Sequence, residues 1–328
     1  MSALNLALFT ADGRADPYLA ALARTPDVRL TAICDPMPRL AEQAAAGWGA
    51  RVVAQSQELF AGDRPDALLV TVPSRLLGDV LEQAVAHRVP FFVEPPGALD
   101  WDAARRLVQP LSDAPLVTAV GMRLRWTDVV REAKAYLGDG PPPLGHGCWL
   151  TGGVDELADV SSLLWNEGCQ WLDLWRYLLG EIEAVAAAQT GTSGLAVTLR
   201  STSGGVGAFT VSALPAPMPR IEFETMGEGW SLRVGRSGFD PNAELSLHEP
   251  AKTTTLRQVN EPWTEMLEAF LEAVRTRNPA AVGPTFPESA TTLAVAEAVR
   301  RAVQQQRWVE LAEVTGTRSA TDAPPTPE

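Results

Sequence analysis

Lysine is nearly absent from this 328-residue chain, which has only Lys134 and Lys252. Arginine supplies the rest of the positive charge, and 27 Lys and Arg against 40 Asp and Glu leave a formal net charge of −13. Such a chain cannot neutralise phosphates in bulk, which excludes nucleic acid and an anionic membrane surface as partners. Cysteine is scarce too. Cys34, Cys148 and Cys169 are odd in number and far apart, which implies reduced thiols in a cytoplasm, not a disulfide framework. Neither they nor His87, His146 and His248 show metal-ligand spacing, so no metal is expected. No apolar run reaches the ~18 residues of a membrane span. The opening "MSALNLALFTADG" has no basic region and reads as a first strand, not a secretion signal.

What is present is a globular composition, 46% hydrophobic, long enough for two domains. The first 120 residues alternate two kinds of pattern. Strand-like runs such as "LNLALFT", "VRLTAICD", "DALLVTVP", "PFFVE" and "PLVTAVGMR" are separated by helical stretches, including "DPYLAALARTP" and "MPRLAEQAAAGWG". In the first of these helices Asp16 suits an N-cap and Pro17 the first helical position. "DALLVTVP" is apolar almost throughout, as in a strand buried on both faces of a parallel sheet. This succession predicts a Rossmann-type, doubly wound α/β sheet over residues 1–122. From 123 to 314 strands dominate, from "GHGCWLTGG" to "AELSLHEP", interrupted by the helix "NEGCQWLDLWRYLLGE" and closed by two more helices. That is an α+β domain with an open, mostly antiparallel sheet. The polar, proline-rich 315–328 reads as a disordered tail.

The order of these elements resembles the glucose-fructose oxidoreductase / inositol dehydrogenase (Gfo/Idh/MocA) family. "ICD", "VTVPS", "VEPPGAL" and "EGCQWLDLWRYLLGE" carry the likeness, which extends over nearly the whole chain. It implies a dinucleotide-binding domain and a second domain whose open sheet forms a homo-oligomer interface. The implied activity is hydride transfer between NAD(P) and a sugar- or polyol-like alcohol.

Several residues depart from the family's pattern. Its Gly-x-Gly-x-x-Gly/Ala phosphate loop falls on "TADGRA", with Thr10 and Asp12 at the first two glycines and Gly13 alone keeping a flexible turn. A carboxylate ~4 Å from a phosphate costs about 4 kcal/mol at an effective dielectric near 20, so Asp12 opposes a pyrophosphate and Arg14 offsets only part of that. An Asp16 cap would further occupy the helix N-terminal amides. Asp35 stands where an acidic residue accepts the adenosine ribose hydroxyls, which would favour NAD over NADP; the other reading is a turn-starting residue. Pro73 alone survives from the family's Thr-Pro-Asn.

The family's Glu-Lys-Pro corner is Glu94-Pro95-Pro96 here, and proline cannot handle the proton a lysine would. On the later helix the family's Asp-x-x-x-His-x-x-Asp reads Asn166, Gln170 and Asp173, of which only Asp173 titrates. Trp165, Trp171 and Trp175 either stack on a small polyol or fill the junction between the two domains. The residues thus point to a catalytically degenerate member with weak or absent NAD binding. The alternative is an active NAD-dependent oxidoreductase whose proton relay runs through Asp173, a tyrosine or water.

Overall fold

In a computed structural model of the chain, which describes residues 3–62, 64–138, 144–150, 164–191, 194–212, 218–238 and 242–316, the alternating half folds as its pattern dictates. The elements run β1 (Leu4–Thr10), α1 (Asp16–Leu22), β2 (Val28–Cys34), α2 (Pro38–Ala46), β3 (Arg51–Val53), β4 (Ala67–Thr71), α3 (Val80–Ala86), β5 (Phe91–Val93), α4 (Trp101–Asp113) and β6 (Thr118–Val120). The strands are parallel, in the order β3-β2-β1-β4-β5-β6. Every residue of β4 is buried, because helices cover both faces of such a sheet. The order reverses between β1 and β4, which opens a crevice at their carboxyl ends.

The remaining elements are α5 (Asp128–Leu137), β7 (Leu144–Leu150), α6 (Cys169–Leu179), β8 (Ile182–Thr190), β9 (Gly194–Ser201), β10 (Val206–Ser212), β11 (Arg220–Gly227), β12 (Trp230–Ser237), β13 (Glu244–Glu249), β14 (Lys252–Arg257), α7 (Pro262–Thr276), α8 (Phe286–Gln305), β15 (Val309–Glu310) and α9 (Leu311–Thr315). Their nine-stranded sheet has the order β14-β13-β12-β11-β7-β10-β9-β8-β15. Among the described residues of this sheet only the β7–β10 pair is parallel. Burial alternates along β10 and β11, so Phe209, Val211, Ile221 and Phe223 face the core while their neighbours face outward.

Where the sequence reads one boundary after residue 122, contacts divide the chain discontinuously. One unit is Met1–Trp126 with Glu261–Thr291; the other is Thr127–Asn260 with Thr292–Glu328. Helix α7 returns to the first unit, where Met266, Leu267, Phe270 and Leu271 join Leu6, Leu8, Tyr18 and Phe92 in one apolar cluster. The second unit packs around Trp171 and Trp175, both fully buried. Trp171 stacks on Phe209 at 4.2 Å between centroids. Glycine is required beneath them: a Cβ on Gly207 would run into the Trp175 ring, and one on Gly147 into Trp171. The expected tail lies, from residue 317 onward, outside the described residues.

Candidate functional site

Strand β1 delivers Thr10 to the switch point, in register with Thr71 of β4. Both hydroxyls are buried and have no hydrogen-bond partner. The chain then turns through Asp12 and Gly13, both left-handed with φ of 57° and 70°. Glycine is the residue that adopts this conformation freely, and Asp is among the few others that tolerate it. Asp12, Gly13 and Arg14 are exposed, while Ala15 packs inward. The expected Asp16 cap is not formed. Ala15 occupies the N-cap and Asp16 is the first helical residue, placed to complement the helix dipole without bonding the end amides.

Three further predicted residues gather at the same end of the sheet. Asp35, just beyond β2, is 4% exposed and accepts the Met37 N–H at 2.7 Å through Oδ1. Burial raises its pKa, the Met37 bond lowers it, and the charge of Asp12 raises it again. Burial first, then the charges of Asp35 and Glu58, push the neighbouring Cys34 thiol up to about 11, so it stays protonated and inert. Pro73 leads from β4 into a single 3-10 turn, Ser74–Leu76. Glu94 closes β5, its side chain 13% exposed with Arg14 Nη1 at 3.6 Å. Burial raises the Glu94 carboxyl, while Arg14 and then Tyr18 pull it down. The Pro95–Pro96 bond that follows is cis.

Tyr18 was not among the predicted site residues. It sits on α1 with its phenol fully buried, and burial followed by the Glu94 charge holds that phenol well above its usual range. Its ring packs edge-on against Trp263 at 5.1 Å, and Arg123 lies over the same indole at 5.4 Å. The sequence carried one signal for it: an aromatic residue on the first turn of a helix entered from a loop that ought to hold charge.

The second unit presents its own set on and before α6. Asn166 belongs to a π-helical turn, Leu164–Gly168, that runs into α6, and its side chain lies outside the described residues. Gln170 is half-buried, with Oε1 buried and unpartnered. Asp173 is 1% exposed. Arg176 Nε and Nη2 grip Glu181 at 2.8 Å each, and Nη1 donates to Thr292 at 2.6 Å. Burial of Trp171 and Trp175 overturns the stacking reading; they are core. Cys169 is also fully buried.

The comparisons agree with this architecture. Residues 10–122 match the Gfo/Idh/MocA group, described as an oxidoreductase family with an NAD-binding Rossmann fold. Over these residues the chain is similar to that family. Inositol 2-dehydrogenase of Rhizobium meliloti (strain 1021) is 22% identical over 322 residues, which span 90% of this chain and 95% of that protein. D-apiose dehydrogenase of Rhizobium rhizogenes (strain K84 / ATCC BAA-868) is 25% identical over 170 residues, 48% of this chain and 49% of the relative. An oxidoreductase from Agrobacterium radiobacter, solved in complex with NAD+, L-tartaric acid and magnesium, superposes with a TM-score of 0.83 at 19% identity. That match covers 95% of this chain and 99% of the other, and at such identity it speaks for the fold.

Against the family's cofactor these residues divide. Asp35 fits an adenosine ribose, since its second carboxylate oxygen accepts no bond from Met37. The phosphate loop does not fit. Its backbone keeps the glycine-like path, but an exposed carboxylate points from the position where the main chain should approach a pyrophosphate. Among the described residues no group of three His, Cys, Asp or Glu gathers to hold a metal. No helix among them is long and apolar enough to cross a membrane.

Proposed function

We propose that this chain keeps the Gfo/Idh/MocA scaffold without its hydride chemistry, as a non-catalytic member that binds a small ligand or assembles with an active relative. The observation that carries this reading is Pro95. The corner after β5 is held in place, with Glu94 N–H on the Val70 carbonyl at 2.9 Å, yet the residue at the lysine's position has no proton to give or take. Asn166 and Gln170 extend the same substitution to the relay on α6. Asp12 extends it to the cofactor, so dinucleotide binding is weak or absent.

The relatives' names, inositol and apiose dehydrogenase, make a sugar- or polyol-like ligand the class to test. The unpartnered Gln170 Oε1 suits a hydroxyl donor from such a molecule. The outward residues of the nine-stranded sheet form the surface for a homo-oligomer, in keeping with cytoplasmic residence.

Calorimetric titration with NAD, NADH and NADP, run beside a turnover screen on polyols and sugars, tests the proposal. Binding weaker than about 1 mM for all three dinucleotides, with no NADH formed, is expected. Micromolar affinity or turnover would sink it. The second reading, an active oxidoreductase with an altered relay, draws on Asp35 and on the buried Tyr18 beside Glu94. It predicts NAD-dependent turnover that survives changes at Gln170 and disappears in Tyr18→Phe.

A further inference from the structure

The end of the six-stranded sheet opposite the crevice holds a cavity of about 680 Å3. Leu4, Asp66, Pro90 and Val117 line it, and each begins or immediately precedes one of the strands β1, β4, β5 and β6. Four arginines complete its wall: Arg64, Arg88, Arg275 and Arg277. In a chain with a net charge of −13 this concentration of guanidinium groups is not a sample of the average surface.

The arginines are mostly not consumed by carboxylates. Arg64 donates to the His87 carbonyl at 3.1 Å, and Arg88 to the carbonyls of Ala114 and Pro115 at 2.7 and 3.2 Å. Arg275 donates to the Pro26 carbonyl at 3.2 Å and stands 3.9 Å from the largely exposed Glu272. Such bonds fix a planar fork while leaving other N–H donors unused. The Arg277 side chain has no partner among the described residues. Asp66 is the one carboxylate in the lining, and Oδ2 already accepts the Asn5 N–H at 2.8 Å.

An independent observation concerns backbone. Arg88 and Arg277 are both left-handed, at φ of 56° and 53°. Each sits where a helix ends, with the following residue bonded back to the last turn: Val89 N–H to Ala84 O at 2.8 Å, and Asn278 N–H to Ala273 O at 3.0 Å. Glycine is favoured at this position. Two helices therefore end on arginine where the conformation asks for glycine, and both arginines line the same cavity.

We infer that this cavity is a binding site for a small phosphate-bearing anion, held by the forks of Arg64, Arg88, Arg275 and Arg277. Phosphate oxygens match a guanidinium fork two at a time, which makes arginine the residue for this class of ligand. The site lies in the first unit alone and does not rest on the reading of the corner or of α6.

Calorimetry on the full chain at low salt, with inorganic pyrophosphate and fructose 1,6-bisphosphate as probes and citrate as a phosphate-free anion, tests it. At least one phosphate probe binds with a dissociation constant below about 1 mM and loosens as salt is added. Arg277→Gly is the decisive variant, because it removes the charge while suiting the backbone; it weakens binding about tenfold without lowering the unfolding temperature. Asp66→Asn, which removes the one carboxylate of the lining, tightens binding. A preference for the bisphosphate assigns a sugar phosphate, and a preference for pyrophosphate an oligophosphate. No binding by either probe, citrate binding as tightly as both, or an Arg277→Gly protein that binds like its parent overturns the inference.

Discussion

The two ends of the six-stranded sheet carry opposite charge. The carboxyl end holds Asp12, Asp35 and Glu94; the amino end holds four arginines around one cavity. In a doubly wound sheet the helices run against the strands, so helix N-termini gather at the carboxyl end and helix C-termini at the amino end. Each N-terminus carries about half a positive charge and each C-terminus about half a negative one. Anions therefore belong at the first end and cations at the second. In a working dinucleotide site the ligand's pyrophosphate is that anion, whereas here the chain supplies carboxylates of its own. The fold dictates the sign each end prefers, and the side chains decide whether a ligand or the protein satisfies it.

Discharging the carboxyl end should break the comparison most visibly. Asp12→Gly removes the charge and suits the left-handed turn, and Asp12→Asn removes the charge alone. The contact estimate of about 4 kcal/mol is an upper bound for an exposed carboxylate; screening by water reduces it to about 1–2 kcal/mol. Both variants should therefore bind NADH about tenfold more tightly than the parent, read by fluorescence titration. If neither gains affinity, the charge of Asp12 does not limit dinucleotide binding.

The same end should also be the more sensitive to pH. Asp35 and Glu94 both have carboxyls raised by burial. A carboxyl raised in the fold binds its proton more tightly there than in the unfolded chain. Its stabilising contribution is complete below the unfolded pKa and is lost as pH rises through the folded one. Glu94→Gln should therefore raise stability at pH 7 relative to the parent, by on the order of 1 kcal/mol, with the gain shrinking toward pH 4. Glu297 and Glu313 in the second unit act with the opposite sign, because Arg300 and Arg301 lower the first and Arg307 holds the second at about 2. The comparison must accordingly be made between variant and parent at each pH, by urea midpoints. A constant difference across the range would contradict the assignment.

Most of the fold was legible because its strands are declared by composition. An apolar run such as Ala67–Thr71 can only be buried on both faces, and the alternation in β10 and β11 can only be buried on one. The return of α7 to the first unit was not legible. Its apolar face, with Met266, Phe270 and Val274, says that the helix packs without saying on what. The tryptophans of α6 left two readings open, stacking on a ligand or packing, until the small residues were placed: Gly145, Gly147 and Gly207 are the seats cut for their rings. At the candidate site, residue types put Pro95 and Gln170 where the resemblance leads one to expect a lysine and a histidine. The amino-end cavity was invisible, since Arg64, Arg88, Arg275 and Arg277 meet only through strand order and a helix from the far end of the chain.

The smallest expected effect sharpens the comparison through backbone alone. Asp12, Arg88 and Arg277 are all left-handed, one at the carboxyl end and two at the amino end. A left-handed conformation costs an ordinary residue roughly 1–2 kcal/mol, and Asp less than most because its short side chain bonds locally. Glycine at position 12 should therefore add only a few tenths of a kcal/mol of stability. Glycine at 277 relieves more strain but gives up the attraction of a cation to the helix C-terminus, about 0.3–1 kcal/mol, so its net gain should also be a few tenths. At 88 the balance should reverse, because glycine would remove the two bonds that Arg88 makes to the carbonyls of Ala114 and Pro115. Each such bond contributes about 1 kcal/mol, so Arg88→Gly should unfold earlier than the parent while the other two unfold slightly later. Thermal unfolding of the three variants measures the order directly. A stabilised Arg88→Gly would mean that the carbonyl bonds hold nothing together, and that Arg88 is kept at this end for its charge alone.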